Sequence, residues 1–73
     1  MDTGKIIHYN VDRGYGFVRI LDGSREEFFF HINESLYRNI KEGDKVSFTV
    51  VKSRNKPGTL CAVDLNLITD GKG

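Results

Sequence analysis

The feature that most limits what this chain can become is its alternation. Apolar and polar residues exchange at every second position through short stretches, and helical spacing is nearly absent. Lys45 to Val50 is the plainest instance, with Val46, Phe48 and Val50 on one parity and Lys45, Ser47 and Thr49 on the other. Successive side chains of an extended strand leave opposite faces, so such a stretch offers one face to a core and one to water. Five stretches read as strands: Gly4 to Asn10, Tyr15 to Leu21, Glu26 to Ile32, Lys45 to Ser53 and Thr59 to Ile68. Turn-forming clusters separate them at Val11-Asp12-Arg13-Gly14, Asp22-Gly23-Ser24 and Asn55-Lys56-Pro57-Gly58. The longer connection from Asn33 to Asp44 is predicted to hold a helical turn around Ser35 to Arg38.

Five short strands with one long connection suit an all-β fold, a five-stranded antiparallel Greek-key barrel of the OB type. Closure removes the edges that an open sheet would expose. A small SH3-like barrel carries the same pattern, and alternation alone does not separate the two. The 73 residues form a single domain with its core between about residues 4 and 68. So short a chain buries only roughly 60% of its unfolded surface. Function is therefore expected on an open face rather than in a deep cavity.

Parity sorts the side chains. Gly16, Val18 and Ile20 share one side of the second strand, and Tyr15, Phe17 and Arg19 the other. In the third, Phe28, Phe30 and Ile32 oppose Glu27, Phe29 and His31. The faces ending in Arg19 and Glu27 are assigned to water, those with Val18, Ile20, Phe28 and Phe30 to the core. In the last strand Cys61, Val63, Leu65 and Leu67 are expected inside, which makes Cys61 a small buried hydrophobe. Tyr15, Phe17, Phe29 and His31 then gather as flat rings on the solvent face of two neighbouring strands. Single exposed aromatics need no explanation, but a cluster of them does. Such a patch is a platform on which bases stack, a hydrophobic cluster covered by the Asn33 to Asp44 segment, or a protein contact.

Charge narrows the choice of mechanism. Eleven Lys and Arg against ten Asp and Glu leave a net charge of +1, whereas binders that rely on charge alone are strongly basic. If the partner is a nucleic acid, stacking must supply much of the affinity, at ~1–3 kcal/mol per base. The single Cys61 has no internal partner and implies no oxidising compartment. No apolar leader or membrane-length run is present, so a cytoplasmic location is expected. Paired catalytic groups and zinc-type Cys/His spacings are missing, so neither an enzyme, a metal site nor a cofactor is expected.

The residues of the patch also carry a family resemblance. Arg13-Gly14-Tyr15-Gly16-Phe17-Val18 resembles the first ribonucleoprotein motif of cold-shock domains, and Phe28-Phe29-Phe30-His31 resembles the second. The similarity continues through Gly4-Lys5-Ile6, Asn10, Asp22-Gly23 and Glu42-Gly43-Asp44-Lys45-Val46-Ser47-Phe48, and covers nearly the whole chain in order. It implies a five-stranded OB-type barrel that binds single-stranded RNA and DNA, often as an RNA chaperone or cold-shock-type regulator. It places Tyr15, Phe17, Phe29 and His31 on base-stacking positions, and Tyr37 on a further stacking position in the long loop. Arg13 falls where a Lys usually contacts the backbone, and Lys56 lies in the turn before the last strand. His8 stands where the family usually has a Trp, and joins the aromatic face only if the first strand is bulged or twisted there. Ile7 replaces a frequent Lys, and Ile32 a frequent aromatic.

The implied partner is thus single-stranded RNA or DNA bound by a monomer, with no small-molecule substrate and no membrane. The other reading is a small barrel that docks a protein through the same aromatic patch.

Overall fold

The computed structural model describes residues 2–53 and 58–68. The strands are β1 (Asp2–Asn10), β2 (Tyr15–Ile20), β3 (Glu27–His31), β4 (Lys45–Lys52) and β5 (Leu60–Leu67), with a 3-10 turn, η1 (Ile32–Glu34), after β3. They close into a barrel in the order β1-β2-β3-β5-β4. Among the described residues four pairings are antiparallel, and the barrel closes through one parallel pair, Phe29 opposite Cys61. The helical turn lies earlier than the Ser35 to Arg38 expected from sequence. His31 caps η1 by accepting a hydrogen bond from the Asn33 amide, so the turn starts directly from the strand end.

Where alternation is clean, parity predicts burial. Val18, Ile20, Phe28, Phe30, Val46 and Phe48 are all buried, joined by Ile6, Ile40, Ala62 and Leu65. Gly16 belongs to this inner face because nothing larger fits. A Cβ there would collide with the His8 carbonyl and come within 2.9 Å of the Phe30 ring. The β1–β2 turn is tied by Asn10, whose Oδ1 accepts from the amides of Asp12 (3.0 Å) and Arg13 (3.1 Å). Gly14 completes it at φ +72°, a left-handed conformation that suits glycine.

The last strand departs from expectation. Ser47 pairs with Asn66 but Thr49 with Val63, so Asp64 and Leu65 together oppose Phe48. This is a bulge, and Asp64 takes it at φ 56°, left-handed backbone that a short polar residue tolerates. The extra residue inverts the parity on its N-terminal side. Ala62 is buried, Cys61 and Val63 are half-buried, and Leu67 is 43% exposed, so of the four residues expected inside only Leu65 is buried.

Candidate functional site

The outer faces of β2 and β3 meet in register. Tyr15 lies opposite His31, Phe17 opposite Phe29 and Arg19 opposite Glu27. The first two pairs place four rings side by side, and the third closes the row with an ion pair at 2.8 Å. Phe29 is central, 5.6 Å from Tyr15 in a tilted arrangement and 5.9 Å from Phe17 edge-on. Phe17 and Phe29 are 36% and 40% exposed, while Tyr15 and His31 are half-buried. Cross-strand aromatic pairs fix these rings on the pleat without hiding them. The Ile32 amide donates to the Gly14 carbonyl at 2.7 Å, which locks the end of β3 to the start of β2.

His8 reaches the same surface through a bulge, one of the two irregularities that would bring it there. Ile6 pairs with Val18 but His8 with Phe17, which leaves Ile7 as the extra residue. The His8 and Phe17 rings lie 6.5 Å apart, tilted by 42°. Beyond the bulge Tyr9 turns inward and stacks on Phe30 at 6.0 Å. Glu42, a neighbour that the sequence did not signal, reaches across from the long loop. Its Oε2 accepts from the Tyr9 amide at 3.2 Å and lies 3.6 Å from His8 Nδ1.

The other sequence-selected residues separate. Arg13 is exposed in the β1–β2 turn, two residues before Tyr15. Lys56 lies outside the described residues. Tyr37 packs half-buried against the core, and its hydroxyl donates to Asp44 Oδ2 at 2.9 Å. Burial, and then the Asp44 carboxylate that accepts its proton, hold the Tyr37 hydroxyl well above the usual tyrosine range. Tyr37 is thus anchored to the barrel, and makes no ring pair with the four aromatics of the β2–β3 face.

Next to Phe29 and His31 the surface dips into a groove of about 420 Å³ along the β3–β5 seam. Glu34, Lys52, Cys61 and Val63 are among the residues of its walls. Cys61 and Val63 reach it because of the Asp64 bulge, which left no mark in the alternation. Among the described residues no His, Cys, Asp and Glu gather to form a metal-binding group, and no helix is long and apolar enough to cross a membrane.

Comparison with known proteins agrees with this geometry. The family model of the 'Cold-shock' DNA-binding domain matches residues 2–64. Cold shock-like protein CspB of Escherichia coli K12 is 37% identical over 57 residues, which cover 75% of this chain and 80% of that protein. Probable cold shock protein y4cH of Sinorhizobium fredii is 37% identical over 68 residues, 89% of this chain and 96% of the relative. Cold shock protein CspB of Geobacillus stearothermophilus is 32% identical over 68 residues, 89% of this chain and the whole of the relative.

Proposed function

This chain belongs to the cold-shock domain family of nucleic-acid-binding proteins, and on that premise we propose that it holds single-stranded RNA or DNA by stacking bases on Tyr15, Phe17, Phe29 and His31. The observation that carries the reading is the contiguous row of rings on a face the core does not use. A flat ring accepts any base, so the interaction tolerates sequence and needs little charge. Three stacked bases contribute several kcal/mol at ~1–3 kcal/mol each, which fits a protein of net charge +1. Arg13 and Lys56 supply phosphate contacts, His8 extends the row beside Phe17, and Tyr37 offers a further ring from the loop.

The same magnitudes support an RNA-chaperone role. A duplex step is stabilised by roughly 1.4 kcal/mol, within the range of one base stacked on a protein ring. A protein that captures bases only when they are splayed out therefore drains weak hairpins by mass action, without catalysis. We place it in this role as a monomeric, cytoplasmic, non-enzymatic binder.

Titration with short oligonucleotides at two salt concentrations tests the proposal. Single strands bind, and blunt duplexes bind much more weakly because their bases cannot present a face to the rings. With two or three phosphates neutralised, the log–log salt slope is roughly −1.4 to −2.1. Equal affinity for duplex and single strand would contradict stacking. Binding of a protein through the patch, indifferent to added nucleic acid, would favour the docking alternative.

A further inference from the structure

We infer that the groove along the β3–β5 seam is a guanine subsite, read by His31 and Glu34, at one edge of the aromatic row. This rests on the reading of that row as a single-strand binding face, and adds base selectivity to it.

The local backbone sets the two side chains together. A 3-10 turn has three residues per revolution, so positions i and i+3 eclipse. His31 is the cap of η1 and Glu34 its last residue, and both line the groove. The residues between them do not: Ile32 packs against the core and Asn33 is exposed.

Their hydrogen-bonding roles are complementary and fixed. His31 Nδ1 accepts from the Asn33 amide at 3.1 Å. The neutral ring must then carry its proton on Nε2, leaving one N–H donor free for a ligand. Glu34 as a carboxylate offers only acceptors. The groove wall therefore presents a donor beside a two-oxygen acceptor. Guanine alone among the common bases presents the matching edge, an O6 acceptor followed by the N1–H and N2–H donors. A carboxylate takes both donors in a bidentate, charge-assisted pair. Thymine and uracil offer Glu34 one donor, N3–H, and turn the O2 carbonyl toward its second oxygen, and adenine and cytosine present a ring nitrogen acceptor beside a single amino group.

The remaining walls fit a nucleotide. The volume of about 420 Å³ falls within the roughly 300–1,000 Å³ of small-ligand sites. Phe29, Cys61 and Val63 give apolar contact, and Lys52 supplies a cation for a neighbouring phosphate. Neither Glu34 nor Lys52 enters an ion pair among the described residues. The groove shares Phe29 and His31 with the aromatic row, so a strand stacked there runs into it without a break.

The test uses the full chain with a short oligothymidylate and its variants carrying a single dG at each position in turn. One register of dG is expected to bind about tenfold more tightly than the all-dT probe, with deoxyinosine, which lacks the N2 donors, in between. Glu34→Gln collapses that dG-to-dT ratio, and thermal melting checks that this exposed substitution leaves the fold intact. Phe17→Ala, outside the groove, weakens dG and dT probes by the same factor and keeps the ratio. No gain at any dG position, or a ratio unmoved by Glu34→Gln, overturns the subsite while stacking stands. An affinity for oligothymidylate indifferent to Phe17→Ala overturns the stacking reading, and the groove as its extension falls with it.

Discussion

Phe29 and Phe30 are neighbours in one strand with the same side chain, yet one is 40% exposed and the other wholly buried. They stand for the two faces of the β2–β3 pair. The inner face holds Val18, Ile20, Phe28 and Phe30 in the core, and the outer face holds Tyr15, Phe17, Phe29 and His31. A large apolar side chain contributes ~1.5–3 kcal/mol when fully buried. The outer rings forgo part of that, with Phe17 and Phe29 36% and 40% exposed, and recover ~0.2–1 kcal/mol per cross-strand pair. A chain this small has little stability to spare, and what sets the outer rings apart from other exposed apolar side chains is that they are contiguous. The two faces therefore differ in what their rings do: one set holds the barrel, and the other forms the face on which base stacking is proposed.

Cutting a ring from the inner face makes the largest change. Phe30→Ala opens a cavity under Tyr9 and beside Gly16, and loses ~3–5 kcal/mol of stability, seen as a marked fall in melting temperature. Overfilling the same layer acts in the same direction. Gly16→Ala drives a Cβ into the His8 carbonyl and the Phe30 ring, and lowers stability by up to about 3 kcal/mol. Because that carbonyl belongs to the strand that displays His8, the outer row should lose alignment as well. A Gly16→Ala variant that melts like the parent would show that the two faces are not coupled through β1.

On the outer face the effect should move from stability to binding. Phe29→Ala removes the ring that touches both Tyr15 and Phe17. It is expected to weaken single-strand binding by ~1–3 kcal/mol while the melting temperature stays close to the parent's. Oligonucleotide titration and thermal melting of Phe29→Ala beside Phe30→Ala sharpen the comparison. Should Phe29→Ala unfold the domain and Phe30→Ala fold without binding, the two faces have been exchanged.

That contrast was legible because β2 and β3 pair without a register shift, so one reference residue per strand fixes every other. The patch followed at once, since Phe17 and Phe29 share parity with Arg19 and Glu27. Sequence failed where the backbone inserts a residue. Leu60-Cys61-Ala62-Val63 is apolar on both parities and offers no contrast, and Asp64 at φ 56° then flips the strand. In β1 a bulge or a twist was needed before His8 could face outward, but His8 and Tyr9 can each take either side, and alternation could not locate the bulge at Ile7. Glu42 reaches His8 from the long loop through tertiary folding, Glu34 reaches the groove through the turn η1, and neither had a periodic signal.

Tyr37 gives the smallest and most particular comparison, between an aromatic tied to the barrel and the free rings of the row. Its hydroxyl donates to Asp44 Oδ2, the oxygen that also accepts the Lys41 amide at 2.9 Å, so one carboxylate ties both ends of the loop segment before β4. Tyr37→Phe keeps the ring and removes the tie, and should lower stability at neutral pH by ~0.5–1.5 kcal/mol. The sign of the pH dependence follows from linkage. Burial and Asp44 raise the hydroxyl's titration above its ordinary value of 10.0, so the folded state holds this proton more tightly than the unfolded chain. The stabilisation is complete below about pH 10 and is lost as pH rises above it, where the unfolded chain ionises first. Chemical denaturation at neutral and strongly alkaline pH should therefore show the gap between parent and Tyr37→Phe narrowing as pH rises. The difference between the two proteins is the quantity to follow. A gap that is constant with pH would mean that the hydroxyl is not held by Asp44, and that the Tyr37 ring is as free as those of the outer row.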